Sequence, residues 1–257
     1  MTNVENDQYS LVKIILLWAL VTLPMGLFRF IVVPWLIPVF NIHPGMIFWW
    51  FMIIGMMWQF VVSVVVLKIE LKTLDWSRVK KRLWINPPVD RKTGDTFNKA
   101  LWLTIPVIFY SAFVSQTGFF SFMNEGLLKI FPHLETPDFA NIQNLVDPVF
   151  RGAWYVFFTM FVSMIFNYIL GEELFFRGIL LPKMQGVFGR WDWLANGILF
   201  ALYHVHKIEF IPTLLLSSLF IAYLNKRYRS FWPAVIIHGI EAIPLVIMVS
   251  AVVFGWM

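Results

Sequence analysis

Long runs of apolar residues, separated by short polar stretches, dominate the chain. A helix that crosses a bilayer needs about 20 mostly apolar residues. This rule predicts seven spans, at residues 11–33, 46–67, 100–122, 152 into the stretch GEELFFRG, 193–208, 213–224 and 231–254. Prolines interrupt the first run and allow a count of eight: Pro24, Pro34 and Pro38. The pattern predicts an all-α, polytopic membrane bundle.

Basic residues are concentrated in two of the polar stretches. Lys and Arg outnumber Asp and Glu in residues 68–99, and again in the loop NKRYRS after the sixth span. Because cytoplasmic loops carry excess Lys and Arg, both segments and the amino terminus are predicted to be cytoplasmic. The loop that ends at Arg151 lacks this excess and is predicted to lie outside, with short interfacial segments at 127–131 and 139–146.

The spans are expected to form one structural domain with two parts. Residues 1–150 would supply helices 1–3, with the basic loop 68–99, for packing and lipid contact. Residues 151–257 would supply helices 4–7 and the chemistry. No internal repeat divides the chain further.

Composition agrees with a membrane protein, since 59% of residues are hydrophobic, 14% are charged and the mean hydropathy is +0.72. The net charge of +5 therefore indicates anionic membrane lipid as a partner, and no nucleic-acid motif accompanies it. The absence of cysteine excludes a thiolate nucleophile. The amino terminus lacks a basic n-region, so the first span is expected to be retained. Chain size and the lack of a targeting segment favour a bacterial plasma membrane.

Few ionisable residues fall at the predicted membrane depth, and all lie in the last four spans: Glu172, Glu173, Arg177, His204, His206, Glu209, His238 and Glu241. Such groups are costly in a bilayer and usually functional. His206 and Glu209 lie near the outer end of their span and are predicted to be interfacial.

Adjacent carboxylates on the fourth span divide into two predicted roles. Glu173 and Arg177 are spaced i,i+4, with the acid first, and are expected to form an ion pair. Glu172 points about 100° away around the helix and remains free for chemistry. Its apolar surroundings favour a general base. Histidines on neighbouring helices would either polarise a carbonyl or hold a divalent metal together with Glu172, and either arrangement would activate water against an amide.

Three motifs in order carry a family resemblance. The string EELFFR, from Glu172 to Arg177, has the pattern EExxxR; Phe200 to His204 has the pattern FxxxH; and His238 stands where HxxxN or HxxxD would begin. Over roughly residues 167–242 the chain resembles the CAAX protease and bacteriocin-processing (CPBP, or Abi) family of intramembrane endopeptidases, which includes the type 2 CAAX prenyl proteases.

The resemblance implies a set of roles. Glu172 would activate water, His204 would assist activation or bind metal, and His238 would serve an oxyanion site or bind metal. Glu173 and Arg177 would support the helix end. The family has been described both as metalloproteases and as glutamic proteases, so the resemblance implies either a divalent metal such as zinc, held by these same catalytic residues, or none. Implied substrates are prenylated CAAX proteins or peptide precursors, reaching the site from the membrane or the cytoplasm.

The third motif is incomplete. The residue four after His238 is Ala242 instead of Asn or Asp, and Glu241 stands one position early. Glu241 could replace the missing residue only where the helix is distorted, for which Pro244 offers a cause. The departure leaves open a non-catalytic member of the same fold, acting in bacteriocin immunity or as a peptide-binding scaffold. A proton-coupled transporter using the same acids and histidines is a further alternative.

Overall fold

The computed structural model describes residues 7–90 and 92–256, and within them every regular element is helical. The α-helices are α1 (Leu11–Leu27), α2 (Val33–Leu36), α3 (Pro44–Leu71), α4 (Trp76–Arg82), α5 (Thr104–Gln116), α6 (Ser121–Ile130), α7 (Trp154–Ile165), α8 (Gln185–Phe188), α9 (Asp192–Tyr203), α10 (Ile211–Tyr228), α11 (Trp232–Ile240) and α12 (Ile243–Phe254). Wider π-helical turns occur at Phe28–Val32, Phe166–Leu170 and Leu174–Leu180.

Five continuous helical stretches among the described residues are long and apolar enough to cross a membrane: Leu11–Leu36, Pro44–Leu71, Trp154–Lys183, Val205–Tyr228 and Trp232–Phe254. They confirm the predicted all-α, polytopic architecture of an integral membrane protein. The first stretch is not divided, because the π-helical turn after Pro24 carries the chain onward into α2.

The predicted count of seven is not confirmed. The third and fifth predicted spans form α5, of 13 residues, and α9, of 12, which are short for a bilayer. A 3-10 segment, Asn98–Leu103, takes up the start of the third apolar run. The fifth run ends its helix at Tyr203, where the backbone of His204 leaves the helical conformation. Both short helices pack against α10 instead of standing alone.

Polarity is arranged as expected for a protein in lipid. Large apolar side chains such as Leu23, Trp102 and Phe109 are at least 70% exposed. Polar and charged side chains, among them Arg29 and Gln59, are buried instead. Because Arg29 lies in the first span, the prediction that ionisable residues at membrane depth are confined to the last four spans is wrong. Both Arg29 and Gln59 lie within runs that are otherwise almost wholly apolar.

One end of the bundle, here called the basic end, gathers residues 68–90, 92–99, 183–193 and 225–231. Backbone hydrogen bonds from Val89 to Tyr228 and from Phe231 to Trp84 join the segments 68–90 and 225–231. The Lys226 side chain contacts Gln185 and Asp192 in the segment 183–193. The positive-inside rule predicts that the basic end faces the cytoplasm.

Arg82 connects the basic end to the helical stretch Trp154–Lys183, here called the site helix because it carries Glu172 and Glu173. Its guanidinium donates to the backbone carbonyls of Gly178 and Ile179, each at 3.1 Å, and to Glu70 at 2.8 Å. Asn196 donates to the carbonyl of Phe176 at 2.8 Å. Side chains from α4 and α9 therefore supply hydrogen bonds to carbonyls of the π-helical segment.

A second buried ion pair closes the opposite end. Arg29 lies 2.8 Å from Glu209 and donates to the carbonyls of Leu134 and Glu135, at 3.0 and 3.1 Å. Glu209 also accepts from the hydroxyl of Thr136. The pair thereby ties the loop before α7 to the segment that follows α9.

Candidate active site

Site residues lie on a helix that is widened at one point. The amide of Gly171 donates to the carbonyl of Phe166, five residues earlier, at 2.7 Å, which is the π-helical pattern. A Cβ at Gly171 would stand 2.4 Å from the Phe166 oxygen and 2.9 Å from the Met56 oxygen. Glycine is therefore required for α3 to approach the helix this closely.

The wider π-helical turn brings the side chains of Asn167 and Glu172 together. With its nitrogen turned toward the carboxylate, the Asn167 amide donates to both oxygens of Glu172 at 3.1 Å. Glu172 is 2% exposed and lies inside the bundle. The contact was not predicted from sequence, because residues five apart do not share a face of a regular α-helix.

His238 lies against both glutamates. Its Nδ1 is 3.0 Å from Oε1 of Glu173, and its Nε2 is 3.8 Å from Oε2 of Glu172. The ring of Tyr168 packs edge-on against the imidazole, with centroids 4.8 Å apart. α11 and the site helix therefore place a histidine beside the carboxylate pair.

The predicted ion pair between Glu173 and Arg177 is present, with Nε 3.4 Å from Oε2. The guanidinium carbon lies 4.0 Å from the centroid of the Phe200 ring, in cation–π geometry. Among the described residues, no group hydrogen-bonds to the guanidinium nitrogens. Glu173 also contacts His238, so it has two partners and does not form an isolated ion pair with Arg177.

His204 adjoins this group but, in the part of the chain that the structure describes, forms no ion pair with Glu172. Its Nδ1 lies 2.9 Å from the carbonyl of Phe200, so that nitrogen carries the hydrogen and Nε2 is the free atom. The Phe200 ring stands between the two histidines, 4.8 Å from the His204 ring and 6.0 Å from the His238 ring. Glu172, Glu173 and His238 are thus in direct contact, and His204 is one aromatic ring away.

Two further polar side chains near Glu172 were missed at the sequence level. The Tyr203 hydroxyl lies near Glu172 and Gln59 but outside hydrogen-bond geometry with either. Both Tyr203 and Gln59 are fully buried. Neither the hydroxyl nor either amide atom of Gln59 has a hydrogen-bond partner among the described residues. A usable signal existed, since Gln59 and Ser63 are the only polar residues in the run 46–67.

The structure also shows where the residues of the incomplete third motif lie. The helix breaks between α11 and α12, as expected near Pro244, but Glu241 is exposed and accepts from the Ser111 hydroxyl at 2.5 Å. Ala242 is buried and offers a methyl group at the motif position. The Glu241 carboxylate therefore has a partner on α5 and is not paired with Glu172 or His238.

His206 and Glu209 are buried inside the bundle, at 5% and 3% exposure. Arg29, from the first span, supplies a buried partner for Glu209, and the prediction that both residues lie at interfacial depth stays a prediction. The His206 ring packs beside those of His204 and Tyr203, with centroids 5.3 and 5.7 Å away.

A divalent metal needs three or more protein ligands in typical catalytic sites. Within residues 7–90 and 92–256, no group of three or more His, Asp or Glu side chains is arranged to hold one. The ligand set Glu172, His204 and His238 does not fit a metal in this arrangement, so no step below passes through one. Metal dependence stays a prediction.

Fold and site together define a class, a multi-pass helical membrane protein with a carboxylate–histidine cluster inside the bundle. Within that class, residues 152–243 match the family model described as Type II CAAX prenyl endopeptidase Rce1-like, which is a protease family. The match covers roughly a third of the chain, includes all three sequence motifs and confirms the resemblance that they carry. Comparison with curated proteins and with solved structures found no match.

Proposed function

We propose that the protein is an intramembrane endopeptidase in which Glu172 activates water against a peptide bond. The observation that carries the proposal is the contact of His238 with both Glu172 and Glu173 inside a bundle of membrane-spanning helices. A buried carboxylate next to an imidazole can perform general acid–base catalysis. The match of residues 152–243 to a protease family supports the same reaction.

The proposed reaction has two steps. Glu172 accepts a proton from water while the water oxygen bonds to the substrate carbonyl carbon, leaving a tetrahedral oxyanion. The protonated Glu172 then donates to the amide nitrogen as the C–N bond breaks, which regenerates the carboxylate and releases the amine and the acid. The Nδ1 hydrogens of His238 and His204 are already donated, to Glu173 and to the carbonyl of Phe200, so either ring stabilises the oxyanion as an imidazolium, through a hydrogen on Nε2.

Glu173 and Arg177 fix the tautomer of His238 in this scheme. An ionised Glu173, held by Arg177, accepts from Nδ1, so Nδ1 carries a hydrogen and Nε2 faces Glu172. Asn167 orients the Glu172 carboxylate from the opposite side. The supporting residues therefore set the direction in which the two reactive groups point.

Tyr203 and Gln59 complete a place for the water. A buried water requires two to four polar partners, and Glu172, Tyr203 and Gln59 supply three. In the protein alone, the hydroxyl and the amide are buried without a partner, which is costly unless something polar binds them. The attacking water satisfies all three groups.

Substrates are proposed by resemblance to the matched family. A prenylated protein with a CAAX terminus would reach the site through the membrane, and a peptide precursor such as a bacteriocin or signalling peptide is the bacterial counterpart. Cleavage would occur in the half of the bilayer nearer the basic end, because Glu172 is six residues before Gly178, to which Arg82 is bound.

The experiment compares wild type with Glu172→Gln in detergent micelles, using a farnesylated peptide with a CAAX terminus and an unprenylated precursor peptide as probes. We expect Glu172→Gln to lose cleavage and Glu125→Gln, a charge-matched control on α6, to retain it. Undiminished cleavage by Glu172→Gln would contradict the proposed mechanism.

A second candidate, a non-catalytic peptide-binding or immunity protein of the same fold, is favoured by one observation. Ala242 offers no hydrogen-bond donor where the motif expects one, and Glu241 is occupied by Ser111. This candidate predicts no cleavage of either probe by wild type, together with binding that survives the Glu172→Gln, His204→Gln double substitution.

A further inference from the structure

A cavity of about 330 Å³ opens at the basic end, where α9 begins and α10 ends. Its lining includes Gln185, Arg190, Trp193, Tyr223, Lys226 and Arg227. At about 30 Å³ per water, it has room for roughly ten waters, and hence for a small polar headgroup. The cavity lies apart from Glu172 and plays no part in the proposed hydrolysis.

Positive charge in this cavity is only partly neutralised. Lys226 forms an ion pair with the buried carboxylate of Asp192. Arg190 and Arg227 have no carboxylate partner among residues 7–90 and 92–256. Their guanidinium carbons lie 4.9 Å from the Trp191 ring centroid and 5.2 Å from that of Tyr228. Two guanidinium groups therefore border one cavity with a surplus of two positive charges.

Aromatic side chains in the cavity lining are of the kind expected at headgroup depth. Trp193 and Tyr223 both line it and pack edge to face, with ring centroids 5.3 Å apart. Trp and Tyr are enriched at the membrane–water interface, where their rings meet lipid headgroups. α10 lies in a span long enough to cross the bilayer, so its last turn, with Lys226 and Arg227, is expected at that boundary.

We propose that this cavity binds the phosphate group of an anionic lipid headgroup. Guanidinium groups match phosphate with paired hydrogen bonds, and two unneutralised arginines prefer an anion to a zwitterion. The basic end is also the end predicted to face the anionic cytoplasmic leaflet. Soluble phosphate shares the same chemistry, and its contribution is separated by the experiment.

The test uses the purified full chain in mild nonionic detergent micelles. Phosphatidylglycerol, phosphatidylcholine or inorganic phosphate is titrated in, while Tm and tryptophan fluorescence are measured. We expect phosphatidylglycerol to raise Tm and to change the fluorescence, with little effect from phosphatidylcholine. Losing two charge-assisted contacts in Arg190→Gln, Arg227→Gln should weaken the apparent affinity by about tenfold or more.

A matched control removes the same charge from the same end. Arg78→Gln, Lys80→Gln changes two exposed cations on α4 that do not line the cavity, and should bind phosphatidylglycerol like wild type. Equal affinity of the Arg190, Arg227 variant and wild type would overturn the proposal, as would equal binding of phosphatidylcholine. Reproduction of the whole effect by inorganic phosphate would overturn the lipid assignment in favour of a soluble phosphate ligand.

Discussion

Nδ1 of His238 donates to Oε1 of Glu173 across 3.0 Å, and this contact decides which ring nitrogen is left for chemistry. The opposite nitrogen, Nε2, faces Glu172 at 3.8 Å. A carboxylate that holds a histidine in one tautomer affects the reaction through that histidine and does not touch the reacting atoms, as in catalytic triads. Glu173 is therefore a positioning residue whose effect should be measurable apart from stability.

Replacing Glu173 by Gln should lower kcat on the farnesylated probe by about 10²-fold with little change in KM, because the amide no longer enforces the tautomer of His238. Steady-state kinetics check this. Glu70→Gln also breaks a largely buried ion pair, with Arg82, but lies away from the site. If both variants lose kcat equally, the positioning role is wrong.

Removing the Tyr203 hydroxyl tests the proposed water site. Tyr203→Phe should lower kcat by about tenfold or more without lowering Tm, because the lost hydroxyl has no partner in the described protein. Tyr110→Phe, on α5, is the matched control. A raised Tm with unchanged kcat would show that the hydroxyl is merely unsatisfied.

Adding a methyl group at Gly171 should destabilise the protein. Gly171→Ala places a Cβ 2.4 Å from one backbone oxygen and 2.9 Å from another, so α3 and the site helix must separate. Overpacking of this kind costs about 1–3 kcal/mol, which thermal unfolding in micelles detects. Gly126→Ala, with nothing within 4 Å of the added Cβ, should leave Tm nearly unchanged.

Replacing Arg82 with lysine should destabilise the π-helical segment Leu174–Leu180. Three different nitrogens of Arg82 serve Glu70 and the two carbonyls, whereas the donors of lysine all sit on one atom, so Arg82→Lys should lower the free energy of unfolding by about 2 kcal/mol. Arg78→Lys, at an exposed position of α4, controls for the change of cation. Equal Tm values in the two variants would mean that those bonds add nothing to stability.

Chelation tests the metal alternative. Because the described residues form no three-ligand group, we expect excess EDTA to leave cleavage of the probe unchanged. Loss of activity that zinc restores, but magnesium does not, would instead support the metal set Glu172, His204 and His238.

Sequence reasoning reached the helical class and the Glu173–Arg177 pair because both follow from local periodicity. It missed the contact of Asn167 with Glu172, which requires a five-residue turn that local propensity does not reveal. Arg29 and Gln59 were missed for another reason, since their partners or neighbours lie more than a hundred residues away along the chain. A single polar residue within an apolar run is therefore a useful signal of a buried site, although it barely changes the mean hydropathy of the run.

The widened turn between Asn167 and Glu172 also has a meaning for how this sequence can diverge. Deleting one residue between these positions would leave the asparagine four residues before the glutamate, a spacing at which a regular α-helix also places two side chains on one face. The wide turn would then close into an ordinary one, and the flanking turns would keep their relative orientation. The extra residue can therefore be lost without separating the amide from the carboxylate, so chains with the spacing Asn-x3-Glu-Glu as well as Asn-x4-Glu-Glu can build this contact.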